Sequence, residues 1–140
     1  MPGQTPTLDL TLKNLQILHG VFTGVMVMYA YVLHIVTPAP ATLKPEFFWS
    51  MVGLAVAFYC GALLMRARRV SPIIEKLRAN PDDPATLAAW RTGTLLSDVF
   101  MECVVLYGVA LYFTGASVSQ VVPFFVVPFL TMLLLFPKRP

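Results

Sequence analysis

Two carboxylates, Asp98 and Glu102, interrupt the apolar stretch SDVFMECVVLYGVALYF that runs from Ser97 to Phe113. Acids four residues apart share one face of an α-helix, one turn from each other. In lipid this is costly, because a charged acid at mid-membrane is penalised by at least about 2.5–3.5 kcal/mol. Counting from Thr92 to Thr114 puts Glu102 near the midpoint of its apolar segment. Asp98 then sits about 6 Å nearer one end, at the helical rise per residue. The expectation is that Glu102 is protonated, or that it faces a partner or a hydrated crevice. A carboxyl that rests neutral and can still release a proton is what a proton carrier needs. Glu102 is the first candidate proton-binding residue, and Asp98 is its relay or tuner. The competing reading is a protonated acid that bonds a neighbouring helix, with Tyr29, Tyr59 and Thr23 at comparable depth.

The other reactive side chains support less. His19 and His34 lie fifteen residues apart on one segment, about 22 Å along a helix. They cannot share a metal or haem, and interfacial hydrogen bonding is the reading they favour. Cys60 and Cys103 form neither a C-x-x-C pair nor a zinc spacing, and read as buried, unreactive thiols. Met26 and Met28 read as packing. No catalytic triad, phosphate-binding glycine loop or redox pair occurs, so no enzyme, cofactor or metal centre is expected.

These acids need apolar elements to hold them. Of the 140 residues, 57% are apolar and 12% charged, about half the charge of a soluble domain; mean hydropathy is +0.73. Four segments stand out, at about 15–36, 47–65, 92–114 and 121–136. A bilayer needs roughly 20 helical residues, with about 17–25 tolerated. The first three meet this; the fourth is short and carries Pro123 and Pro128. Unpaired backbone is too costly in lipid, so each is read as a helix. The first fourteen residues carry no basic region leading to a cleavage site, so the first segment is read as a retained span. The fold class expected is all-α: a single domain over 1–140, a polytopic bundle of four transmembrane helices.

Lys13, the six basic residues between segments two and three, and Lys138 with Arg139 fall on one side if all four segments span; Lys44 alone falls on the other. Nine against one predicts that both termini and the central connection are cytoplasmic, in a bacterial inner membrane. The basic surplus fits contact with anionic lipid rather than nucleic acid. Trp49 suits the aromatic belt at the other face. TPTLDLTLKNLQ reads as a short interfacial segment, and TPAPATLKPEF as an ordered turn. In the central connection, Val70, Ile73, Ile74 and Leu77 follow a helical apolar period. Helix two is therefore expected to continue as a cytoplasmic amphipathic extension to about Asn80, with a kink or restart at Pro72. NPDDP then turns the chain, and Asp82 or Asp83 caps a helix that starts near Pro84. Small residues recur every fourth position: Gly20 and Gly24 in segment one, and Gly53, Ala57 and Gly61 in segment two. Such stripes let helix backbones approach closely, within the chain or between copies.

The stretch Glu102-Cys-Val-Val-Leu106-Tyr107-Gly108 resembles the ion-binding helix of rotary ATP synthase c-subunits. In that family a helix rich in small residues leads through a cytoplasmic R-N-P type turn to a helix with one essential mid-membrane carboxylate. Gly53, Ala57 and Gly61 match the first helix, Arg78-Ala79-Asn80-Pro81 the turn, and Glu102 the carboxylate. The resemblance covers about 50–114 and implies reversible ion binding at Glu102. Cys103 and Val104 stand where sodium-binding members carry hydroxyls, so the ion implied is a proton. The chain departs from the family by an extra span on each side and by Asp98. Two functions follow as expectations. One is a proton-handling, oligomeric membrane protein. The other is a non-catalytic accessory subunit of a larger membrane complex. A small exporter that binds cationic solutes at the acid pair is a third reading, without an aromatic cage to support it.

Overall fold

The computed structural model describes residues 7–37 and 42–139. Within them the chain is all-helical, with no strand. The helices are α1 (Leu8–Ile35), α2 (Pro45–Met65), α3 (Ser71–Ala79), α4 (Pro84–Phe113) and α5 (Val118–Leu134). A π-helical turn, Arg66–Val70, joins α2 to α3 without a break. Leu8–Ile35, Pro45–Ala79 and Pro84–Phe113 are each long and apolar enough to cross a membrane; α5 is a shorter apolar helix.

Of the proline-rich turn expected after segment one, residues 38–41 lie outside the described residues, and residues 45–47 already belong to α2. TPTLDLTLKNLQ is no separate interfacial piece, apart from residues 5–6, which also lie outside them. Thr7 caps a continuous helix, its hydroxyl accepting from the Leu10 amide at 3.4 Å. Leu8, Thr11 and Leu15 are buried, because this end of α1 packs against α3 and α4.

The amphipathic period in the connection corresponds to α3. Val70 and Leu77 are buried with Leu8, Leu15, Leu87 and Trp90, and Ile73 and Ile74 pack at the edge of that cluster. The restart comes at the residues expected. Pro72 has no N–H to return to the preceding turn, and the backbone widens just before it, Ser71 N–H reaching back five residues to the Arg66 carbonyl. Asp83 then caps α4, accepting from the Thr86 amide at 2.9 Å and from the Thr86 hydroxyl. Those bonds hold its carboxyl below the usual aspartate range.

α4 is the central helix. Half of its most apolar stretch (50%) is buried, against 17% for α1 and 11% for α2 with α3, and it packs on α1, α2 and α5. Its far end closes on Gly115, whose φ of 102° is a backbone conformation glycine adopts without strain. Gly115 N–H reaches the Tyr112 carbonyl (3.1 Å) and Ala116 N–H the Leu111 carbonyl (2.9 Å), the paired bonds of a Schellman stop. Ser117 and Gln120 form a capping box that starts α5, and α5 continues as one helix through Pro123 and Pro128.

The small-residue positions divide. A Cβ added at Gly20, Gly24 or Gly53 would meet nothing within 4 Å, and Ala57 is exposed. These four face outward and do not pack helices within the chain. Only Gly61 makes a close approach, 3.1 Å from its Cβ position to the Phe100 ring. The tightest glycine is Gly108, where a Cβ would stand 2.6 Å from the Phe124 Cβ.

Candidate functional site

Asp98 sits midway along α4 and is almost fully buried, at 1% exposure. The structure brings two other helices to it. His19 of α1 contacts it through Nδ1, 2.9 Å from Oδ2. Arg66, at the end of α2, donates from Nη2 to Oδ1 at 2.9 Å. The same guanidinium donates from Nη1 to the Leu135 carbonyl at 2.8 Å and from Nε to Ser97 Oγ at 3.2 Å. Ser97 in turn donates to the Ala62 carbonyl at 3.3 Å. A planar fork of donors is what satisfies one carboxylate, one hydroxyl and one carbonyl together; an ammonium lacks that geometry. Arg66 is also the first residue of the π-turn, and such turns often occur at functional sites.

The proton count of the His19–Asp98 contact follows from its other partner. His19 Nε2 lies 2.9 Å from the Met132 carbonyl. A carbonyl only accepts, so Nε2 carries a hydrogen. The Nδ1···Oδ2 contact then needs one more proton between the two atoms. Either an imidazolium donates to a carboxylate, or a carboxyl donates to a neutral ring. Both side chains are 1% exposed, so the contact is closed to bulk water.

Glu102 contrasts with this. It lies one turn along α4 from Asp98, at 9% exposure. Neither carboxyl oxygen has a hydrogen-bond partner among the described residues. The bonds to Tyr29, Tyr59 or Thr23 weighed from the sequence are not made, and two of those hydroxyls are engaged elsewhere. Tyr59 pairs with Thr131 at 2.9 Å, and Thr23 donates to the His19 carbonyl at 2.9 Å. Glu102 is thus a buried polar group without compensation, a rare and costly state.

The sequence reading placed Asp98 and Glu102 on one face, and both are buried there. It did not connect His19, Arg66 or Ser97 to Asp98. His19 does act by hydrogen bonding, but at 1% exposure in the bundle interior, not at an interface. His34 is exposed. The thiols differ from the buried pair expected: Cys60 is exposed and Cys103 half-buried. No group of three His, Cys, Asp or Glu side chains placed to hold a metal ion occurs among the described residues. Both nitrogens of His19 are already committed.

Asp98 is thus held from two sides, by His19 and Arg66, while Glu102, one turn away, has no hydrogen-bond partner among the described residues. No protein-family model, curated protein or solved structure matches the chain.

Proposed function

We propose that this chain is a four-span protein of a bacterial inner membrane that handles protons, with Glu102 as the group that binds and releases H⁺. The observation that carries the reading is the Glu102 carboxyl, buried with both oxygens unpartnered. Packing alone would favour a leucine or a bonded polar group there. A site that must alternate between neutral and charged cannot be locked into permanent hydrogen bonds. Asp98 is the companion group: Arg66 and His19 hold it, and the shared His19–Asp98 proton lies one helical turn from Glu102. The c-subunit-like stretch from Glu102 to Gly108 leads to the same residue.

In this reading both termini and the α3 extension are cytoplasmic, by the nine-to-one basic asymmetry. The test is proton flux. Purified protein is reconstituted into vesicles carrying an internal pH dye and a potassium gradient, with valinomycin to set the potential. The wild type should acidify or alkalinise the lumen as the potential directs. Glu102→Gln should fall to the leak of protein-free vesicles. Flux unchanged in that variant would sink the proposal.

The outward Gly20, Gly24, Gly53 and Ala57 favour a second component of the reading, assembly with copies of itself or with another membrane protein. Their backbones are open to close approach, and such surfaces associate by packing in lipid. Native mass spectrometry from mild detergent separates the cases. A homo-oligomer fits a proton-handling assembly, and a stable hetero-complex fits an accessory subunit.

A further inference from the structure

The end of the bundle that carries Leu8 and the tail after α5 contains a polar pocket that the proton reading does not use. Its volume is about 380 Å³, and it opens between the α2–α3 junction, the first half of α4 and the tail after α5. Four cations line it: Arg66, Arg78, Lys138 and Arg139. No acid is among its lining residues. Arg66 is spent on Asp98, and the exposed Arg139 lies 3.6 Å from Asp9, an arrangement that water screens. Arg78 and Lys138 make no hydrogen bond or ion pair among the described residues. The positive charge is therefore concentrated and largely uncompensated.

A second observation comes from the pocket wall. Thr94 lines it beside Trp90, and its hydroxyl is buried with no partner among the described residues. A threonine inside a helix ordinarily returns its hydroxyl to the carbonyl a turn back. Thr23 and Thr131 both do so here, at 2.9 and 2.8 Å. Thr94 does not, and its hydroxyl is left without an acceptor in a residue at 1% exposure.

The mouth supplies the third observation. Leu134 and Phe136 border the pocket, at 81% and 40% exposure. Apolar chains can lie along that rim while a charged group enters the basic interior. We infer that this pocket binds a phosphate group, with Arg78 and Lys138 supplying the charge and Thr94 a hydroxyl. The same chemistry is met by the phosphodiester of an anionic phospholipid and by free phosphate. Arginine and lysine pair with either through charge-assisted bonds. The inference rests on no part of the proton reading, and it stands or falls separately.

The test uses the purified full chain in neutral detergent at constant ionic strength. Thermal unfolding is followed as dioleoylphosphatidylglycerol, dioleoylphosphatidylcholine or sodium phosphate is added. Binding to the folded state raises Tm in a saturable way. If the source is lipid, phosphatidylglycerol raises Tm and phosphatidylcholine does not. If the source is free phosphate, sodium phosphate raises it alone. In either case the Arg78→Ala/Lys138→Ala double variant should weaken the effective ligand about tenfold or more. Lys13→Ala/Lys44→Ala, with the same charge loss outside the pocket, should leave it unchanged. Thr94→Val keeps the shape, and should weaken the ligand without lowering Tm in its absence. Equal shifts with phosphatidylcholine and phosphatidylglycerol, no shift with any probe, or equal weakening in both double variants would overturn the assignment.

Discussion

Asp98 and Glu102 are a helical turn apart, yet their surroundings are opposite. Asp98 has an arginine on one oxygen and an imidazole on the other; Glu102 has nothing on either. Removing one partner from a buried ion pair leaves a charge without compensation, at a cost of about 3–5 kcal/mol, whereas replacing both partners by apolar groups can be neutral. Arg66→Met and Asp98→Leu should each therefore destabilise by about 3 kcal/mol, and the double variant by much less than their sum. Reversible unfolding in mixed micelles measures this cycle, and simple additivity would show that the two side chains are not coupled. The opposite sign is expected at Glu102. Glu102→Leu removes an unpartnered buried carboxyl and should stabilise the fold by about 1–3 kcal/mol in the same assay. Together with a loss of flux in Glu102→Gln, that gain would show that the carboxyl is kept for function at a cost in stability. The acids were legible in the sequence because charge in an apolar run is conspicuous. Their partners were not. His19 lay on another segment, and Arg66 was hidden in a basic run whose ordinary meaning is topology. One comparison would have joined them: His19 lies four residues inside segment one, Asp98 six inside segment three, and Arg66 directly after segment two. Depth measured from a common face brings all three together.

At the scale of elements, helix starts and stops were written locally and followed the sequence closely. Asp83 with Pro84 begins α4, and Pro72 marks the restart into α3. The amphipathic period of Val70, Ile73, Ile74 and Leu77 correctly indicated a packed face. What local signals could not indicate was which way each face turned. A GxxxG pattern has the same spacing whether it meets a neighbouring helix or the outside, and in this chain Gly20, Gly24 and Gly53 turn outward. The close packing lies instead at Gly108, within the stretch that resembles a c-subunit, where α4 meets Phe124 of α5. A methyl group there would stand 2.6 Å from the Phe124 Cβ, which belongs to the rigid base of the side chain and cannot swing aside. Gly108→Ala should therefore cost about 1–3 kcal/mol by overpacking, while Gly53→Ala, open on all sides, should leave the unfolding midpoint unchanged. Equal stability of the two variants would mean that α4 and α5 are not in contact at Gly108.

For the whole molecule, the tertiary contacts show which segment ends lie together. The basic asymmetry presupposed that the short fourth segment crosses the membrane, which its length and two prolines left undecided. The packing now bears on that step. At one end of the bundle, Leu8 N–H reaches Asp82 at 3.0 Å, Gln16 reaches the Pro137 carbonyl at 3.1 Å, and Arg66 reaches the Leu135 carbonyl at 2.8 Å. At the opposite end, the Tyr112 hydroxyl reaches the Val36 carbonyl at 3.1 Å, and the Gly115 stop turns α4 into α5. The beginning of α1, the α3–α4 connection and the tail after α5 thus share one end, so α5 runs the length of the bundle beside α4. Its 17 residues reach about 26 Å, near the lower limit for crossing a hydrocarbon core. In spheroplasts, single cysteines placed at Lys13, Asn80 and Lys138 in a background without Cys60 and Cys103 should be shielded from an impermeant maleimide until the membrane is opened. A cysteine at Lys44 should react at once. If the Lys138 position reacts together with Lys44, the chain has three spans rather than four. The contacts that place the tail beside Arg66 would then have no common side of the membrane on which to form.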